Sequence, residues 1–333
     1  MKSSSITTMP LNRRRLLLTA SAAIVALGFS ACSAAASTPT GAGTPTPITI
    51  GLIPIIDVAP VQLGVQEGFF KDQGLIPTIE SAATGAAIVP AVVSGQYQFG
   101  FSNGVSLLVA ASKGIPVQII ASGVSTVGGG PAVEPEGVVV RNDSAIKSAK
   151  DLAGKTIAVA VRNSLTDTAV SAAVKNDGGD PTTIRYVEIP LADIPAVVQR
   201  GEADAGEVVE PFLAQSKNLG LRSVASSFAS ATSNPNLTVS YYFTSKDFAQ
   251  QHPDVVQKFV TALDKSKAYA QGNSDAVRKI LPTYTKIDAA TGPKLNLPKW
   301  TAGLDRGSLE LLGDLAYNGK LLTAKPNVAG LLP

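Results

Sequence analysis

The stretch GVVVRNDSAIKSAKDLAGKTIAVA, residues 137–160, decides the fold. Its opening run is apolar and β-branched and reads as a strand, RNDS as a polar turn, and KTIAVA as a further strand opening a second alternating unit. Immediately upstream, STVGGGPAVEPE (125–136) is rich in glycine and proline and has no apolar period, so it reads as a connection. The chain changes character here, which marks a domain boundary.

Upstream of that boundary, ITIGLI (48–53), IPTIES (76–81), YQFGFS (97–102) and VQIIASG (117–123) read as strands. The segments 59–74, 85–96 and 104–114 read as the helices between them. Downstream, SLTDTAVSAAVKNDGG (164–179), TIRYVEIP (183–190), ADIPAVVQRGEADAGEVVEPFLAQ (192–215) and LRSVASSF (221–228) continue the same alternation. LTVSYYFTS (237–245) reads as a returning strand, and residues 246–333 read as mostly helical. Short β-branched runs alternating with longer helical ones specify an α/β fold with parallel sheets covered by helices. IVPAVVSGQYQFGF (88–101) and DIPAVVQRGEADAGEV (193–208) share an early proline, an AVV run, a glycine stop and a strand, as equivalent pieces of two lobes would. Two such lobes make a cleft, lined by the loops beyond the carboxyl ends of their strands.

The stretches GLIPIIDVAPVQLGVQEGFFKDQGL (51–75), 137–160 with its DLxGKxIAV order, and VVQRGEADAGEVVEPF (197–212) carry a resemblance. They resemble the substrate-binding components of ABC transporters, in the nitrate, sulfonate and taurine group (NMT1/THI5-like). The resemblance implies a two-lobed type II periplasmic-binding-protein fold, each lobe a mainly parallel sheet flanked by helices. It places lobe 1 at 48–135 plus 226–333 and lobe 2 at 136–225, with hinge strands near 136–142 and 237–244. It further implies that the lobes close over a small-molecule solute and that the closed form docks on an ABC permease served by its ATPase. No motif among these identifies the solute.

The first 31 residues read as an export signal. Arg13, Arg14 and Arg15 precede LLLTASAAIVALGF (16–29), an apolar run too short for the roughly 20 residues that a membrane span needs. Ser30 and Ala31 before Cys32 resemble the bacterial lipobox, which would make Cys32 the lipid attachment site and hold the protein on the extracytoplasmic face of the cell membrane. Phe29 departs from that pattern. Residues 32–47 are small, polar and proline-rich and read as a flexible tether. Lys2 and the three arginines are four of the 28 basic residues, and no acid precedes Cys32, so the mature chain carries 24 basic against 25 acidic residues. The formal charge of +3 is therefore a property of the signal, and nothing points to nucleic acid. Cys32 is the single cysteine. With His252 the single histidine, no metal, no cofactor and no Cys/His nucleophile is expected, and the chain does not read as an enzyme.

The candidate ligand-binding residues lie at strand ends. Ile56 and Asp57 follow the first strand, where Asp57 either accepts a ligand donor or caps the next helix. Thr84 and Gly85 open a helix whose free N–H groups favour an anion. Ser102 and Asn103 end a strand, with a plain turn as the alternative. Asn163, Ser164 and Thr166 open a second-lobe helix, with Ser164 and Asp167 spaced as a capping box. Glu210 is preferred over Glu207 as the acid at the cleft or hinge, and an acidic pair with Asp57 would suit a solute carrying an amine. Two other functions stay open: a thiamine-pyrimidine precursor binder or synthase-like enzyme on the same fold, and a sensory ectodomain. A monomer is expected.

Overall fold

The inner strands of the second sheet, at residues 136–141, 156–159 and 205–209, are buried on both faces, which is why their sequences run apolar instead of alternating. A computed structural model describes residues 44–333; the expected signal, Cys32 and tether residues 32–43 lie outside the described residues. The first unit comprises β1 (Thr46–Leu52), α1 (Ala59–Gln66), α2 (Phe69–Asp72), β2 (Leu75–Ser81), α3 (Gly85–Val93), β3 (Phe99–Asn103), α4 (Gly104–Ser112), β4 (Val117–Ser122) and the short β5 (Val124–Ser125). The chain then crosses into β6 (Glu136–Arg141), β7 (Thr156–Val159), α5 (Leu165–Asn176), β8 (Arg185–Glu188), α6 (Ile194–Gln199), β9 (Ala205–Val209), α7 (Phe212–Asn218), β10 (Leu221–Ala225) and α8 (Ser227–Ala231). It returns through β11 (Ser240–Ser245) to α9 (Lys246–Gln251), α10 (Pro253–Gly272), α11 (Ser274–Tyr284), β12 (Lys299–Trp300) and α12 (Arg306–Asn318).

The first sheet has the order β2-β1-β3-β11-β4 and the second β10-β6-β9-β7-β8. In each, four strands point one way and one is reversed: β11 is antiparallel to both β3 and β4, and β6 to both β9 and β10. The reversed strands are those on which the chain arrives from the other lobe, so the mainly parallel sheets carry antiparallel pairs where the lobes join. The first strand starts at Thr46, inside the expected tether, because the Thr46 amide donates to Gly74 O at 2.8 Å and pairing with β2 begins there.

Val138 and Val140 pack with Ile157 and Val159 on one face of the second sheet, while Val139 packs with Ala158, Ile194 and Val198 on the other. Burying each valine contributes about 1.5–3 kcal/mol. The first sheet buries Ile48, Ile50, Phe99 and Phe101 against Phe259 and Leu263 of α10. The two crossings pair with each other: the Thr126 amide donates to Leu237 O at 3.0 Å and Val239 to Val124 O at 3.0 Å, and β12 adds a third short strand beside β5. GGGP (128–131) is a connection, as its sequence predicts. The amides of Val127 and Gly128 donate to the buried Glu134 carboxylate.

Candidate functional site

Strand ends from both lobes and the two crossings enclose one cavity with about 650 Å³ of empty space counted out to its mouth. Ten residues were expected at such a site; Asp57, Thr84, Gly85, Asn103, Ser164 and Thr166 line the cavity, and four do not.

After β1 the chain makes a 3-10 turn, Ile56–Val58, tied to the second lobe by the Ile56 amide, which donates to Glu210 O at 3.1 Å. Asp57 does not cap α1, whose N-cap is Val58 without a side-chain bond. Its carboxyl lies buried beside the Ser240 hydroxyl, and burial pushes it up to about 7 against the pull of that hydroxyl and of its own amide. The indole N–H of Trp300 donates to Asp57 O at 3.0 Å, so the tryptophan is a core residue that holds the turn from behind. Ile56 itself is fully buried in the core, while Ile55 and Asp57 on either side face the cavity.

α3 opens at Thr84, whose Oγ1 accepts from the Ala87 amide at 3.2 Å. Gly85 must be glycine: a Cβ there would stand 2.3 Å from Ser102 Oγ and 2.7 Å from Ser102 Cα. Ser102 is thus buried under the helix start, its hydroxyl unpartnered, while Phe101 and Asn103 point the other way into the cavity. The side-chain oxygen of Asn103 accepts from the Ser106 amide at 2.8 Å and caps α4.

In the second lobe, the Asp167 carboxylate accepts from the amides of Asn163, Ser164 and Thr168 at 2.7–3.0 Å, and burial pushes it upward against those bonds. Asn163 is exposed at φ 53 and serves the turn. With its amide satisfied by Asp167, Ser164 turns its hydroxyl across the cleft, accepting from Asn103 Nδ2 at 3.2 Å and lying 3.1 Å from Ser106 Oγ. The lobes therefore meet through side chains at the cavity wall. The first-turn residues of α3 and α5, one helix from each lobe, open onto the same space.

The preference for Glu210 is reversed. Its carboxylate accepts from the Ala214 amide at 2.9 Å and the Asn296 amide at 3.0 Å, away from the cavity, and burial pushes it up to about 7. Glu207, in the middle of β9, lines the cavity instead, fully buried and with neither carboxyl oxygen partnered. Burial, then the nearby Glu136 and Asp57 carboxyls, push it well above the usual carboxylate range. The available signal was an acid interrupting the apolar run AGEVV. Tyr241 and Tyr242 are core residues and do not reach the cavity, and His252 is exposed between α9 and α10. Phe101, Leu165, Leu191, Val209 and Phe228 supply apolar wall. Among the described residues no lysine, arginine or histidine lines the cavity, and no three His, Cys, Asp or Glu side chains gather to hold a metal ion. No helix among them is long and apolar enough to cross a membrane.

Residues 55–276 match the sequence profile described as NMT1/THI5 like. The chain is 31% identical over 245 residues to the taurine-binding periplasmic protein of Escherichia coli (strain K12), covering 73% of this chain and 72% of that protein. Two solved structures share its fold. The alkanesulfonate-binding protein SsuA from Xanthomonas axonopodis pv. citri, bound to MOPS, has a TM-score of 0.72 at 18% identity, over 87% of this chain and 99% of the other. The periplasmic nitrate-binding protein NrtA from Synechocystis PCC 6803 has a TM-score of 0.69 at 14% identity, over 85% and 84%.

Proposed function

The chain belongs to the NMT1/THI5-like family, and from that premise we propose that it is the extracytoplasmic solute-binding component of an ABC importer, capturing a small sulfonate-, taurine- or nitrate-like solute by lobe closure and delivering it to a permease and its ATPase. One observation carries the reading: a helix start from each lobe opens onto a single cavity that the Ser164 hydrogen bonds bridge. The first N–H groups of a helix lack intrahelical partners and its dipole favours negative charge, so an anionic head held by both starts draws the lobes together. A solute shifts the open-to-closed balance by as much as it prefers the closed state, and contacts to both lobes supply that preference.

The apolar wall of Phe101, Leu165 and Phe228 favours a sulfonate with an alkyl stem over nitrate, which has nothing to place there. No catalytic step belongs to this reading, and the protein acts as a monomer. Cys32 tethers it to the membrane by lipid, which keeps the loaded receptor near its permease at a raised effective concentration. The reading is tested by a thermal-shift screen of the purified protein against taurine, alkanesulfonates, nitrate, bicarbonate and thiamine precursors. A saturating ligand raises the midpoint by linkage. A shift with a sulfonate supports the reading, and no shift with taurine, any sulfonate or nitrate removes it.

A further inference from the structure

Among the described residues Lys267 of α10 is the one lysine or arginine that is buried. Its ammonium donates to Ser122 O at 3.1 Å and to Thr301 O at 2.8 Å, and it lies 2.8 Å from a carboxylate oxygen of the half-buried Asp264. Burial pushes it below the ordinary lysine value, against the pull of Asp264. Such a pair contributes little net stability, since taking the charges out of water offsets their attraction. What the lysine does instead is grip two main-chain carbonyls, one at the end of β4 and one just beyond β12.

Both carbonyls lead to the same part of the cavity wall. On one arm, Gln271, one helical turn beyond Lys267, accepts from the Trp300 amide at 3.0 Å, so α10 grips residues 300 and 301 at two points. The Trp300 indole in turn holds Asp57 O at 3.0 Å. On the other arm, Ser122 leads into Gly123 and Val124. The Gly123 amide donates to Ser240 O at 2.7 Å, and the Val124 amide to the Ser240 hydroxyl at 3.0 Å. A Cβ at Gly123 would stand 2.6 Å from Ser240 Oγ, so this backbone lies directly against the hydroxyl. The Thr301 amide joins the two arms by donating to Gly123 O at 3.1 Å. Asp57 and Ser240 line the cavity side by side, whereas Lys267 and Gln271 stand behind its wall.

Resting on the solute-binding reading above, we propose that Lys267, assisted by Gln271, is a positioning residue of the solute site: from behind the wall it fixes where the Asp57 carboxyl and the Ser240 hydroxyl stand, without touching the solute. Its bonds to the two carbonyls are charge-assisted, and so stronger than those of a neutral donor. A methionine in its place fills the same space and holds neither carbonyl. Both arms then slacken together, and the two wall groups lose their fixed spacing.

Trp300 is the single tryptophan of the sequence, so its fluorescence reads the first arm with no solute present. Lys267→Met and Gln271→Ala are compared with the parent and with Lys258→Met, a control on the same helix whose side chain reaches solvent. The expected result is a red-shifted emission in Lys267→Met, a smaller shift in Gln271→Ala and none in Lys258→Met, with far-UV circular dichroism unchanged in all three. Calorimetry with taurine and ethanesulfonate then shows about tenfold weaker binding by Lys267→Met. Adding Lys267→Met to a protein that already carries Asp57→Asn and Ser240→Ala weakens binding no further, because the groups it positions are gone. A lysine that only stabilises the fold lowers the melt and moves neither readout. An unshifted emission in both α10 variants overturns the proposal, as does a loss of affinity by the same factor whether or not Asp57 and Ser240 are intact. Should Lys267→Met not fold, Gln271→Ala, at an exposed position, carries both readouts. If neither sulfonate binds the parent, the sulfonate reading falls, while a shifted emission still supports the positioning of the turn at Asp57.

Discussion

Trp300 and Asp57, 243 residues apart, are joined by an indole N–H that donates to a main-chain carbonyl at 3.0 Å. Trp300 lies on the short strand beside the crossing at Val124–Ser125, and Asp57 on the cavity wall, so the segment flanking the hinge also sets the position of a site carboxyl. Trp300→Phe keeps an aromatic ring in the core and leaves that carbonyl without its donor. The expected stability loss in a denaturant melt is about 1–3 kcal/mol. Solute affinity falls with it, because the turn bearing Asp57 is no longer held.

Ser164→Ala removes its two side-chain links across the cleft, to Asn103 and Ser106, and the Asp167 half of the cap remains. The lobe itself loses the Ser164 half of that cap, a cost of about 0.5–2 kcal/mol. The closed form loses about 1 kcal/mol, so solute affinity drops roughly fivefold. Calorimetry reads the affinity, and small-angle scattering reads a larger mean radius in the absence of solute. Unchanged values in both would show that these bonds do not bias closure.

Gly85→Ala forces a methyl group onto Ser102, which has neither room nor a flexible end to withdraw. The start of α3 must lift from β3, with a cost of about 1–3 kcal/mol and a weaker anion site. Adding Ser102→Gly gives back part of the space, and the double variant recovers part of both losses. A double variant no better than Gly85→Ala alone would place the cost elsewhere.

Glu210→Ala separates structural from binding acids. It strips the acceptor from the amides of Ala214 and Asn296, which join the second lobe to the segment after α11. The expected outcome is a melt lowered by about 2–4 kcal/mol with solute affinity within about twofold of the parent, in contrast to changes at Glu207.

Stability should also rise on mild acidification. Asp57, Glu136 and Glu210 are each pushed up to about 7 in the folded protein, chiefly by burial, from ordinary values of 3.8, 4.5 and 4.5. Between about pH 4 and pH 7 the folded state then binds more protons than the unfolded chain. The contribution of these groups is fully present below the ordinary values and is lost as pH rises through 7, by up to about 1.4 kcal/mol per group and pH unit. Thermal midpoints measured without solute are therefore higher at pH 5 than at pH 8, and Glu136→Gln flattens the slope. A midpoint that instead falls on acidification to pH 5 contradicts the burial of these carboxyls.

The sheets were legible because strands buried on both faces leave unbroken runs such as Val138–Val140, and because glycine stops and proline starts punctuate the helices between them. The site was legible only to the nearest residue. Phe101 and Asn103 face the cavity and Ser102 the core, and Ile55 and Asp57 face it while Ile56 does not. This alternation depends on register, which the motifs leave free by one position. Glu207 and Glu210 exchanged roles because the stretch EVVEP gives no sign of which acid the Ala214 and Asn296 amides will occupy. The Asn296 amide comes from 86 residues further along the chain.

The reversed strand β11 sits inside the first sheet, hydrogen-bonded on one side to β3 and on the other to β4. All five strands of the second sheet lie within residues 136–225. A chain that emerges from its amino end thus presents the first sheet with an open slot, and the later-made lobe can assemble completely while that slot stays empty. The order of maturation runs against the order of synthesis, and the earliest residues spend the longest time with unpaired edges, which is where assistance against aggregation would be needed.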